Sequence, residues 1–121
     1  MNIRSDTYGT WNVIDLDGRL VIKTINAVRG IIDMLLERGA SRVALDLSKT
    51  VIIDSTGMSF IVNTHKRLSG QGGDLVLINP NRETELLFSV SGIDKHIHVF
   101  ESNEAFRRRF AGTADSSDPI P

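Results

Sequence analysis

The spacing of apolar residues switches repeatedly between a period of two and a period of three to four, and this constrains the fold more than any other feature. Trp11-Asn12-Val13-Ile14-Asp15-Leu16 is rich in β-branched and aromatic residues and ends at Asp17-Gly18, a turn signal. Residues 2–8, before the Gly9-Thr10 turn, supply a partner strand, so the opening reads as a β-hairpin. Ile25, Val28, Ile31, Ile32, Leu35 and Leu36 then fall on one face of a helix, with Thr24 placed to cap it and Gly39 to stop it. Ser41 to Leu47 reads as a buried strand, and the apolar run Val51-Ile52-Ile53 leads into Asp54-Ser55-Thr56-Gly57. A second helical pattern puts Met58, Ile61, Val62, His65 and Leu68 on one face and closes at Gly70. The alternation continues with a strand over 74–78, a short helix over 81–90 with Leu86, Leu87 and Val90 inward, a strand over 97–100 and a helix over 103–110. Strands alternating with helices of this length predict one α/β domain whose sheet contains parallel crossovers. Residues 112–121 are small, polar and end in proline, and read as a disordered tail.

With 121 residues there is room for one domain, which buries enough surface to need neither metal nor disulfide. The chain has no cysteine, which excludes disulfide staples, thiolate zinc sites and a cysteine nucleophile together. A formal charge of −1 gives no basic excess for nucleic acid. Met1 to Asp6 holds no apolar leader, and no apolar run approaches a bilayer span, so the expectation is a cytoplasmic protein without membrane insertion.

Several chemistries lack their residues. Gly70-Gln71-Gly72-Gly73 lies after a helix and before a strand, the reverse of a phosphate-cradling glycine loop. His96 and His98 alternate along an expected strand without an evident third ligand, and His65 sits on the apolar face of its helix, so no metal site is expected. Ser55 stands at a strand-to-helix turn but lacks the Gly-x-Ser-x-Gly frame of a hydrolase nucleophile. Arg107-Arg108-Arg109 reads as a solvated face offset by Glu101 and Glu104. No catalytic residue and no cofactor is expected; the reading is a protein that acts by binding.

The stretch from Val43 to Leu68 carries a resemblance. Val43-Ala44-Leu45-Asp46-Leu47-Ser48 followed by Val51-Ile52-Ile53-Asp54-Ser55-Thr56-Gly57-Met58 is similar to the signature of the STAS family. In that family a strand ending in Asp-Leu-Ser leads to an apolar run and then to Asp-Ser-Ser/Thr-Gly-Leu opening a helix. Asp17-Gly18, Thr24, Gly72-Gly73 and Val90-Ser91-Gly92-Ile93 match further landmarks in order, so the resemblance spans roughly residues 8 to 110 and the domain residues 1–111. It implies a four- or five-stranded mixed sheet with about four helices mainly on one face.

The resemblance also implies a function. Stand-alone bacterial members are anti-sigma factor antagonists: the unphosphorylated form binds an anti-sigma factor that is also a serine kinase of the histidine-kinase-like ATPase fold. Phosphorylation of the serine after the motif's Asp ends the interaction, and a metal-dependent serine phosphatase restores it. That serine is Ser55 by position, with Thr56 the second choice, and the partner-binding residues carried over are Asp54, Ser55, Thr56, Gly57, Met58, Leu20, Val21 and Thr24.

Residue physics is compatible with that role. A hydroxyl at or just before a helix N-terminus can cap free amides, and those amides and the helix dipole also tolerate a phosphate. A phosphoserine adds roughly −1.5 to −2 charges beside Asp54. Gly57 suits close approach of a kinase, and Met58 with Phe60 suits adaptable apolar contact. One departure concerns the partner-facing loop, where the family's acidic residue, Leu and Asp are replaced by Arg19-Leu20-Val21. An alternative follows: a constitutive STAS subunit of a multiprotein complex, such as a bacterial lipid transporter, in which Ser55 stays unmodified. A small-ligand or nucleotide-binding module rests on fold analogy alone.

Overall fold

Asn2–Tyr8 (β1) and Trp11–Leu20 (β2) form an antiparallel hairpin closed by Gly9-Thr10, with Tyr8 opposite Trp11. The computed structural model describes residues 1–111; the expected tail over 112–121 lies outside the described residues. The remaining elements follow as α1 (Ile25–Glu37), β3 (Arg42–Asp46), β4 (Thr50–Ile53), α2 (Ser55–Ser69), β5 (Asp74–Ile78), α3 (Arg82–Ser91), a 3-10 turn (Ile93–Lys95), β6 (Val99–Phe100) and α4 (Asn103–Phe110). Strand order is β1-β2-β3-β5-β6, antiparallel at β1-β2 and parallel elsewhere, with β4 pairing to the far end of β2. The sheet is therefore mixed and has six strands, because the segment from Arg42 to Ile53 splits into two short strands that pair with successive stretches of β2.

Alternation along the central strands divides the molecule into two cores. Ile14, Leu16, Val43, Leu45, Leu75 and Leu77 face α1, α2 and α3. Trp11, Ala44, Val76 and Ile78 face the other way, onto Phe100 and onto Phe106 and Phe110 of α4. Three helices thus cover one face and one covers the other. In α1 the expected stripe is the buried one: Ile25, Val28, Ile32 and Leu35 point inward, with Ile31 and Leu36 at its flanks.

Four expectations are corrected. Asp17-Gly18 is not the end of a strand: β2 runs on to Leu20, and its ladder with β4 slips between Gly18 and Arg19. Gly18 pairs with Thr50 and Arg19 with Ile52, so Val51 is the extra residue of a β-bulge; Gly18, at φ +135°, supplies a conformation that few other residues tolerate. Thr24 does not cap α1 through its side chain, because its hydroxyl is used inside the preceding loop. Leu86, Leu87 and Val90 do not point inward. Four apolar residues crowd into five positions of α3, more than one face can hold, and the helix turns its largest ring, Phe88, and Thr84 to the core. The last strand begins at Val99 rather than Ile97, which is buried just after the 3-10 turn.

Candidate functional site

The end of β2 and the start of α2 meet through one carboxylate. Asp54 is the N-cap of α2, in extended conformation, and its Oδ1 accepts from the Gly57 amide at 2.8 Å. Its Oδ2 accepts from the Ile22 amide at 3.0 Å, and its own amide donates to the Leu20 carbonyl at 3.2 Å. Asp54 therefore ties the loop after β2 to the first turn of α2. Thr24 fixes the other side of that loop: its hydroxyl accepts from the Val21 amide at 3.0 Å and donates to the Arg19 carbonyl. The two segments form one surface because backbone donors in each are held by short side chains.

Ser55 is the first residue of α2 and is exposed. It does not act as the cap; Asp54 does, which leaves the Ser55 side chain in solvent at the positive end of a 15-residue helix. Asp54, Thr56 and Met58 of the same segment, and Val21 and Thr24 of the loop after β2, are half-buried. Two carried-over residues are not on the surface. Leu20 is fully buried, and its contribution here is a carbonyl. Gly57 is also buried, and the space for its missing side chain is filled by the ends of β2 and β4: an added Cβ would lie 2.4 Å from the Leu20 carbonyl oxygen and 2.8 Å from Ile53 Cγ2. The need for glycine is thus internal packing rather than access for a kinase. Phe60, paired with Met58 as an apolar contact in the sequence reading, turns inward and is 6% exposed.

Sequence reasoning missed Ile22, whose side chain is 67% exposed while its amide is anchored on Asp54. Its only sequence signal is an apolar residue in a short loop. Replacing Asp54 by alanine removes the cap and the anchor of that loop together, and is expected to lower stability by about 1–2 kcal/mol. Asp54→Asn, which keeps one acceptor oxygen, is expected to lose less; urea unfolding of the two variants checks the order.

A second polar grouping lies on the opposite face of the sheet, beneath α4. Asp15 of β2 is in register with Asp46 of β3. Asp46, 5% exposed, accepts from the Ser48 amide at 2.9 Å, the Ser48 hydroxyl and the Asn103 side-chain amide at 2.6 Å. Asp46-Leu47-Ser48 is therefore a structural clip that joins the end of β3 to α4. A recess of about 400 Å³ beside it is lined by Arg4, Asp15, Asp46, Asn103 and Arg107, among others. Burial, then repulsion and hydrogen bonding from Asp46, raise the Asp15 carboxyl above its ordinary range, against Lys49 and Arg4.

A raised carboxyl favours the folded state most when protonated, so its contribution is full in acid and is lost as pH rises through the folded-state value. Asp15→Asn is accordingly expected to gain stability over the parent at pH 7, with the gain shrinking towards pH 4. Melting temperatures measured across that range check the sign.

The histidines are dispersed. His65 lies 3.6 Å from Asp74, and the His98 ring stacks on Phe100 with centroids 4.2 Å apart. Among the described residues no group of three or more His, Asp or Glu side chains is placed to hold a metal ion, and no helix is long and apolar enough to cross a membrane. Arg107 is not simply solvated: it stacks over Tyr8 at 5.2 Å and donates to Asn103.

A profile of the STAS domain matches residues 2–105. The anti-sigma-B factor antagonist of Staphylococcus epidermidis is 24% identical over 104 residues, covering 86% of this chain and 96% of that protein. Among solved structures, an anti-sigma factor antagonist from Mycobacterium paratuberculosis superposes with a TM-score of 0.78 at 17% identity, covering 88% of this chain and 92% of that one. The Bacillus cell fate determinant SpoIIAA in its phosphorylated form superposes with a TM-score of 0.69 at 21% identity, covering 88% and 98%. These two likenesses are of fold. The profile spans the hairpin, the Asp46-Leu47-Ser48 clip and the Asp54-Ser55 helix start, and the chain belongs to the STAS domain family.

Proposed function

We propose that this chain is a partner-switching regulator of the anti-sigma factor antagonist kind. Its unphosphorylated form binds an anti-sigma factor that is also a serine kinase, and phosphorylation at Ser55 releases it. The observation that carries this reading is the placement of Ser55: an exposed hydroxyl at the N-terminus of α2, next to an anchored loop, with its capping duty already taken by Asp54. A hydroxyl that is not needed to hold the helix can be modified without unfolding it. The α2 amides and dipole favour an anion there, while the added charge sits where a docked protein would cover it. The names of the curated relatives support the same function. The chain acts in this reading by binding, and any nucleotide belongs to the kinase.

The cognate kinase with ATP tests it. The wild-type chain is expected to lose its partner as Ser55 is modified, and Ser55→Ala to retain it. A Ser55→Ala protein that is released equally well contradicts the proposal. One observation favours a second reading, the constitutive subunit: Val21 is apolar and half-buried where the family carries an acidic contact. That reading expects co-purification with an ATPase subunit whether or not the kinase is present.

A further inference from the structure

Apolar residues outside the Ser55 motif stand exposed on the elements bonded to it. Ile22, Val51, Ile52, Leu86, Leu87 and Val90 are 40–79% exposed. They put on the order of several hundred Å² of carbon in water, near the upper end of what a monomer shows. Two local causes turn them outward. The bulge at Val51 breaks the alternation of β4, so that consecutive apolar residues, Val51 and Ile52, both leave the core. On α3, Thr84 and Phe88 take the inner face, which places Leu86 and Val90, four residues apart, on the outer one.

Bonds connect these positions to one another and to Ser55. The Ile22 amide is held by Asp54, which follows Ile52 by two residues and precedes Ser55. Asn81, the N-cap of α3, donates from its side chain to the Val51 carbonyl at 3.0 Å, and α3 packs against β4. The loop, the bulged strand and the helix are therefore one continuous support.

We propose that this apolar band is the main docking surface for the same partner whose release Ser55 controls, and that the partner meets it with an apolar face. The inference rests on the function proposed above and adds where the affinity resides. It accounts for how one modification can dismiss a whole partner. A protein seated on Ile52 and Ile22 covers Ser55, and a phosphate beneath it is a charge with no water. Exposed Arg19, at the end of β2, and Lys23, in the loop that follows, favour an acidic rim on that partner, which the phosphate would repel.

The absence of cysteine allows single labels. The probe is the purified anti-sigma factor kinase, and three measurements are made: affinity for Leu86→Ser/Val90→Ser, affinity for Ser55→Asp, and emission of an environment-sensitive dye on Leu86→Cys, Val90→Cys and, across the sheet, Glu104→Cys. The double variant, altered only at exposed positions, is expected to melt as the parent does and to bind on the order of thirtyfold more weakly. Dyes at 86 and 90 are expected to shift to the blue on adding kinase, and the dye at 104 to stay unchanged. Binding within about threefold of the parent with unshifted dyes overturns the inference, and if Ser55→Asp still abolishes binding, the Ser55 reading survives without it. Blue shifts that appear on concentrating the chain alone make a second copy the occupant and also overturn it. Loss of binding in the double variant but not in Ser55→Asp upholds the band and removes the Ser55 reading.

Discussion

Gly57→Ala is expected to cost about 2–4 kcal/mol of stability, a large part of what a domain of this size has. The added carbon would sit 2.4 Å from the Leu20 carbonyl oxygen, 2.8 Å from Ile53 Cγ2 and 3.1 Å from Leu20 Cγ. The first contact is with backbone, which a rotamer change cannot relieve. Either α2 lifts off β2 or β2 moves, and both stretch the bond from the Asp54 amide to the Leu20 carbonyl. The same displacement pulls Asp54 from Ile22, so the surviving folded protein should also bind its partner poorly. Gly30→Ala, in the middle of α1 with nothing within 4 Å of where the new Cβ would stand, is the control. It is expected to stabilise by about 0.5–1 kcal/mol through helix propensity alone. Urea midpoints for the two variants should move in opposite directions from the parent.

Ser55→Asp, or phosphorylation of Ser55, is expected to weaken partner binding by at least about a hundredfold while leaving the melting temperature close to that of the parent. The two halves of this result have separate causes. The fold is spared because the Ser55 side chain points to solvent and because an anion at the start of α2 meets the positive end of the helix, in part offsetting repulsion from Asp54. Binding is not spared, because a covered charge loses its water and finds Asp54 as its nearest charged neighbour in the motif. A variant that lost binding and stability together would point instead to damage of the Asp54 cap. Ser55→Thr, which keeps the hydroxyl, should bind as the parent does.

The fold was legible wherever one period dominated. The α1 stripe follows from spacing because that helix has one apolar face, and β3 and β5 follow from short continuous apolar runs because both of their faces are buried. Where apolar residues outnumber the places on one face, spacing alone misassigns them. In α3 the rotation is set by Phe88 and Thr84 against the sheet, a tertiary choice with no local signature. Asp17-Gly18 carries turn composition, yet long-range pairing with β4 carries β2 through it, opposite the bulge at Val51. The site was legible as a motif, but the division of labour inside it was not. Asp54 and Ser55 are both good capping residues, and only the bonds to Ile22 and Gly57 show which one caps and which one is left exposed. Leu20 and Gly57 lie in the right segments and yet face inward, because the site is built by packing one segment on the other.

The role of Ser55 is tested most directly by mapping phosphorylation in the protein isolated from its native cells under several stresses, by mass spectrometry with full coverage of the 50–67 peptide. The account predicts a phosphate on Ser55 whose occupancy changes with condition and falls when partner is bound. Persistent absence of phosphate from Ser55 and Thr56 in every condition would contradict the switch and leave a STAS domain that holds its partner constitutively.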